Sequence, residues 1–152
     1  MAKKVSSART KSPAKAEAKF KLFYPVLAEC AFERNKRPDG ASEEDKAERF
    51  YDSTVELPDE PVGKVDVAVC EFVAGQQVKE TNILEVRATY FVGIECTGLK
   101  SVEEKRAILQ EFVAASAWPM FRDLFIHIGS QSSEELPLLP NAPRLRWIGK
   151  EK

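Results

Sequence analysis

The chain has 152 residues, of which 43% are hydrophobic and 31% charged, enough for one globular domain. No window approaches the ~20 apolar residues needed to span a bilayer, and no charged-then-apolar leader opens the chain, so stable membrane insertion is not expected and the cytoplasm is the default compartment. The net charge of −1 conceals two halves: residues 1–19 hold six basic groups and one acid, for +5, and the remaining residues sum to −6.

The basic, Ser- and Ala-rich arm at 1–19 reads as a disordered solubilising tail, with binding to nucleic acid or an anionic membrane as the alternative. Residues 20–152 read as a single domain. From Phe20 to Glu33 the residues alternate: Phe20, Leu22, Tyr24, Val26, Ala28, Cys30 and Phe32 point one way, and Lys21, Phe23, Pro25, Leu27, Glu29, Ala31 and Glu33 the other. Period two over that length predicts a long half-buried strand. Pro25 cannot donate a ladder bond, so the strand belongs at an edge or carries a bulge there. Arg34–Arg49 is a charged loop with a turn signal at Pro38-Asp39-Gly40. Phe50–Leu57 reads as a second strand, ended by Pro58 and Pro61. Val65–Val73 reads as a third, with Ala68, Cys70 and Phe72 opposed to Val65, Val67 and Val69, and Ala74-Gly75-Gln76 as its turn. Ile83–Ile94 is a fourth, with Leu84, Val86, Ala88, Tyr90 and Val92 on one face. Four successive strands joined by loops too short for a crossover helix predict an antiparallel sheet, in order along the chain.

After Ile94 the period changes. Ser101-x-x-Glu104 is a capping box. Ile108, Leu109, Phe112, Val113, Ala117, Met120, Phe121, Leu124, Phe125 and Ile128 then recur at helical steps. This predicts a helix from Ser101 to Ile128, stopped at Gly129 and kinked or broken near Pro119. Its apolar arc is too wide for one sheet, so Ile108, Leu109, Val113, Trp118, Phe121 and Phe125 are expected to be buried partly between subunits. The fold class is therefore α+β: a four-stranded antiparallel sheet followed by a long kinked helix packed on it. Leu136–Pro143 is extended and proline-rich, and Leu145–Ile148 forms a short apolar end.

Little here points to catalysis. His127 is the one histidine, and no Cys/His cluster has zinc spacing. The three cysteines, Cys30, Cys70 and Cys96, read as buried free thiols. There is no phosphate loop, dinucleotide fingerprint or nucleophile elbow. Glu103-Glu104 and Glu134-Glu135 read as solvated charge. Neither an enzyme nor a bound cofactor or metal is expected.

Three local patterns lie in order on these elements. Glu29-Cys30-Ala31-Phe32-Glu33-Arg34-Asn35 resembles the first-strand D-I-S-F-E-x-x-N of the SecB-like chaperones. Phe91-Val92-Gly93-Ile94-Glu95 resembles the I-A-G-I-E that ends their fourth strand. Trp118-Pro119-Met120-Phe121-Arg122 with Leu136–Pro140 resembles their F-P-x-x-R helix and L-x-L-x-P segment. The resemblance spans roughly residues 20–148. It implies a homotetramer, a dimer of dimers, that holds unfolded preproteins in apolar grooves without ATP. It also implies acidic sheet faces that dock the translocase motor SecA. On that footing the acidic docking residues are Glu29 and Glu33, with Glu85 from the fourth strand. The apolar groove residues are Phe23, Phe32, Phe50, Tyr51, Leu145 and Trp147. The chain departs from the pattern in its polar 34–49 loop, its basic arm and its lack of a final helix. These departures leave open a SecB-like chaperone that protects an antitoxin, and a small α+β ligand-binding module.

Overall fold

The computed structural model describes residues 19–57, 66–97, 102–131 and 136–143. Ser101, Leu145, Trp147 and the arm at 1–18 lie outside the described residues. The elements run β1 (Lys19–Leu22), β2 (Val26–Arg34), β3 (Glu48–Glu56), β4 (Asp66–Val78), β5 (Thr81–Thr97) and α1 (Val102–Gln131). One antiparallel sheet is followed by one long helix, the α+β arrangement the two periods predict.

The first strand is broken in two at Phe23-Tyr24-Pro25. Both pieces pair with β5, so β1 and β2 form one interrupted edge. Pro25 lies buried at the break, where no ladder donor is needed. The chain gains one residue on β5 between Leu22, opposite Ile94, and Val26, opposite Phe91. It gains another at a bulge between Leu27 and Glu29. Each gain reverses the face to which the side chains point. The even alternation expected from Phe20 to Glu33 is therefore corrected at two places. Val26 turns to the face of Phe23, and Leu27 turns away from it.

The strand order is β1/β2–β5–β4–β3. β3, β4 and β5 are successive neighbours, and the first strand returns beside the last, which makes a Greek key. The connection from β2 to β3 crosses the end of the sheet. It contains the expected turn, with the Ala41 amide donating to the Pro38 carbonyl and Gly40 at φ +83°. The turn expected at Ala74-Gly75-Gln76 does not form. β4 runs through it to Val78, and the hairpin closes at Lys79 (φ 49°) and Glu80 (φ 64°), the pair of positive φ values that a two-residue hairpin requires. Gly75 is needed for closeness: a Cβ there would overlap the Leu84 carbonyl and meet Phe50 Cζ at 3.0 Å.

One face of the sheet carries Ala68, Cys70, Phe72 and Ala74 from β4 and Leu84, Val86, Ala88, Tyr90, Val92 and Ile94 from β5, all buried. α1 lies on this face. It is one continuous helix through Pro119, without the break into two, and it runs past Gly129 to Gln131. Pro119 and Ala115, the residue whose carbonyl it leaves without an amide partner, are both exposed, so water can satisfy that carbonyl. Gly129 is not a helix stop. A Cβ there would lie 2.7 Å from Leu136 Cδ1, because the 136–143 segment turns back along α1. The buried stripe of α1 is Leu109, Val113, Ala117, Phe121 and Phe125, at steps of four, with Ala114 and Trp118 beside it. Of the six helix residues expected between subunits, only Ile108 is exposed; the other five are filled into this chain's own core. Phe72, Trp118 and Phe121 form the centre, with ring centroids 5.2–5.5 Å apart. They occupy the space where a ligand module would hold its pocket.

Candidate functional site

α1 packs across β3, β4, β5 and the short β1 but does not reach β2. The helix-side face of β2 is therefore an open ledge carrying Leu27, Cys30 and Phe32, with Phe32 42% exposed. Cys30 is thus not the buried thiol expected. Partial desolvation still pushes its pKa above the ordinary thiol value. Cys70 is buried and free, and burial with the Glu71 charge pushes it up to about 12. A thiol reagent followed by peptide mapping is expected to find label on Cys30 in the folded protein and on Cys70 only in denaturant. The Cys30 rate should keep climbing above the ordinary thiol pKa of about 8.5, because the thiolate is the nucleophile. Equal labelling of both under native conditions would contradict this placement.

The other face of the sheet has no described element on it. Its composition follows from the register. β2 gives Glu29 and Glu33, β4 Glu71, β5 Glu85 and Glu95, and β3 Asp52 and Glu56; Lys21 and Arg87 are the cations. Seven carboxylates against two cations leave −5 on this face between the Glu85 and Glu95 rows. Glu29, Glu33 and Glu85 therefore do share a surface, and Glu33 stands directly opposite Glu85. Glu85 accepts hydrogen bonds from Asn82 Nδ2 at 2.7 Å and Arg87 Nη2 at 2.8 Å, and this bond with its charge raises the Arg87 pKa. Sequence reading missed Glu71 and Arg87. Their place comes from pairing across strands, which no local pattern carries.

At the far end of the same face, Val26, Phe91 and Val69 form one cross-strand row, with Val67 and Phe23 beside them. Phe23 covers Gly93, where a Cβ would stand 3.1 Å from the Phe23 ring, and the Lys21 ammonium sits 4.9 Å from that ring's centroid. Val26, Val67 and Phe91 remain exposed.

α1 has a second apolar stripe opposite the buried one. Ile108, Phe112, Ala115, Pro119, Arg122 and Ile126 follow each other at alternating steps of four and three, the spacing of a coiled-coil seam. Ile108, Phe112 and Ile126 are 46%, 54% and 57% exposed.

No family model matches the chain, and no curated protein matches it.

The four described groove candidates do not line one groove. Phe23 lies on the outer face over Gly93 and Phe50 on the same face opposite Gly75, at opposite edges of the sheet. Tyr51 lies under the helix, 6.3 Å from the Trp118 ring, while Phe32 lies in the same cross-strand row but on the uncovered ledge. An open cavity of about 520 Å³ sits where the crossover connection leaves β2, lined by Arg34, Asn35, Lys36, Arg37, Gln76 and Leu84 among others. Its polar cationic lining differs from the apolar loop wall that the resemblance implies. Among the described residues no three His, Cys, Asp or Glu side chains converge as a metal site, and no helix is long and apolar enough to cross a membrane.

Proposed function

We propose that the chain is an ATP-independent holdase of the SecB-like kind. In this reading it is a cytoplasmic homotetramer, a dimer of dimers, that keeps unfolded preproteins from aggregating and passes them to the export machinery. The observation that supports it is apolar surface left over after the core is complete. The sheet and helix bury a closed aromatic centre within one chain, yet the α1 seam, the β2 ledge and the Val26–Phe91–Val67 patch stay exposed. Contiguous exposed apolar surface marks interaction sites. With the α1 seam taken up in assembly, the β2 ledge and the Val26–Phe91–Val67 patch of each chain give the tetramer several weak contacts for a single extended client, and burial is non-directional enough to accept many sequences. The acidic end of the outer face, around the Glu33–Glu85 row and away from the Val26–Phe91–Val67 patch, is suited to steering a basic partner such as SecA.

Adding the full chain to a denatured model protein on dilution is expected to suppress light scattering near stoichiometric ratio without nucleotide. Undiminished aggregation at a large molar excess would end the holdase reading. The double variant Glu29→Lys, Glu33→Lys should still suppress aggregation but lose salt-sensitive association with purified SecA. Each exposed contact is worth only about 0–1 kcal/mol, so both changes are needed. SecA binding unchanged in this variant would remove the two residues from the docking surface. Failure of the unaltered chain to bind SecA, with protection of a labile antitoxin, would replace the export role by antitoxin guarding.

A further inference from the structure

We propose that the cavity of about 520 Å³ beside the crossover connection binds a small diphosphate, free or esterified to a flat organic group. The holdase reading neither requires nor supplies this site. The volume falls in the range of small-molecule sites, about 300–1,000 Å³. Arg34, Lys36 and Arg37 line the cavity, and no acid among the described residues does. That puts +3 on a concave wall of a body whose net charge is −6. A concave surface of one sign focuses its field, so a small anion is drawn here rather than to the solvated cations elsewhere.

The fold prepares the wall. Arg34, Leu84 and Gln76 form one cross-strand row from β2 through β5 to β4. Leu84 is buried and gives an apolar floor, and the half-buried Gln76 adds an amide. Arg37 is held by its own loop. Its Nη1 donates to the Ser42 carbonyl at 3.2 Å and to the Asp45 carbonyl at 3.3 Å. A guanidinium has five N–H donors, so three remain on Nη2 and Nε, and no described residue takes them. That edge can grip two phosphate oxygens at once. The Asp45 carboxylate does not compete for it. It already accepts from the Lys79 ammonium at 3.0 Å and the Ser42 amide at 2.8 Å, and these bonds hold its pKa below the ordinary value. Lys36 is exposed and has no partner among the described residues. A terminal phosphate carries about −1.5 to −2 at neutral pH, so a single phosphate leaves a cation unmatched and a pair matches all three. Phe32, two residues before Arg34 on the same face and 42% exposed, offers a ring to a flat group esterified to the diphosphate.

Calorimetric titration of the full chain with pyrophosphate, and separately with adenosine diphosphate, tests this without any client. One site per chain with a Kd below about 1 mM is expected, with inorganic phosphate about tenfold weaker. Lys36→Gln removes a charge that no described residue uses, so the fold is kept, and pyrophosphate should bind about three- to fivefold more weakly. Arg37→Lys keeps the charge but loses the fork, and should weaken binding about tenfold. Lys46→Gln, which changes an exposed cation of the same loop outside the cavity, should leave binding within about twofold. An equal loss in Lys46→Gln, or no pyrophosphate binding by the unaltered chain, would overturn the proposal. Phe32→Ala separates the two sources. A loss for adenosine diphosphate alone assigns the esterified form, and equal affinity for both ligands in both chains assigns the free diphosphate.

Discussion

Trp118→Ala is expected to lower stability by about 3–5 kcal/mol, the range for emptying a large aromatic site. Trp118 is 1% exposed and sits at the centre of the core. Its ring meets Phe72 edge-on at 5.2 Å, Phe121 at 5.5 Å and Tyr51 at 6.3 Å. Its Nε1 donates to the Pro140 carbonyl at 2.9 Å and so holds the returning 136–143 segment on α1. Neighbouring rings cannot collapse into the space because Phe72 is fixed on β4 and Phe121 on the same helix. Trp118→Phe keeps a ring in the site but loses the bond to Pro140; its hydrogen-bond share of the loss is about 1 kcal/mol. Urea unfolding followed by far-ultraviolet circular dichroism checks both, with the m-value unchanged if the folded and unfolded states keep their surface. A loss below about 1 kcal/mol for the alanine variant would contradict the packing, since a domain's whole stability is only about 5–15 kcal/mol.

The second large effect concerns assembly. Ile108→Glu with Ile126→Glu is expected to lower the mass of the proposed tetramer to that of dimers or single 17.1 kDa chains at micromolar concentration, read by light scattering. Both side chains lie on the α1 seam and outside the core, so the fold should survive, with each change alone within about 0.5 kcal/mol. In an assembled seam the same two glutamates would place charges in a desolvated contact, at a cost no monomer experiences. A helix apolar on both sides is ordinarily covered on both sides. An unaltered protein that already weighs one chain, or a double variant that keeps its mass, would remove α1 from the interface.

The middle and end of the sheet were legible because their alternation is uninterrupted. Leu84, Val86, Ala88, Tyr90, Val92 and the set Ala68, Cys70, Phe72 point inward as the period requires. The first strand was legible as an edge through Pro25, but its phase was not. Two inserted residues each reverse its faces, and nothing in a polar–apolar pattern marks a register gain on a partner more than fifty positions away. Glycine misled twice for one reason: Gly75 and Gly129 serve close approach, to Leu84 and Leu136, where turn and stop signals are the usual local reading. The true hairpin turn, Lys79-Glu80, has no glycine to announce it. On α1 the helical period was plain, yet it could not say which apolar face meets the sheet, because both are apolar. The acidic trio was legible in part, since Glu29 and Glu33 both follow the bulge and keep their spacing of four. Five of the six groove candidates are aromatic, and residue type alone does not assign a face.

The interrupted first strand also dictates when this protein becomes complete during synthesis. β2 is made early, but every ladder partner it has lies on β5: Phe32 pairs with Val86 and Val26 with Phe91. At ~5–20 residues per second the ribosome delivers that partner several seconds after β2 emerges. Throughout that interval Val26, Leu27 and Phe32 have no strand to join, while β3, β4 and β5 can zip as neighbouring hairpins the moment each is released. Closing the Greek key is thus a late, long-range step, the kind that slows folding and leaves nascent chains sticky. A protein proposed to shelter other chains from aggregation passes through the same hazard each time it is made.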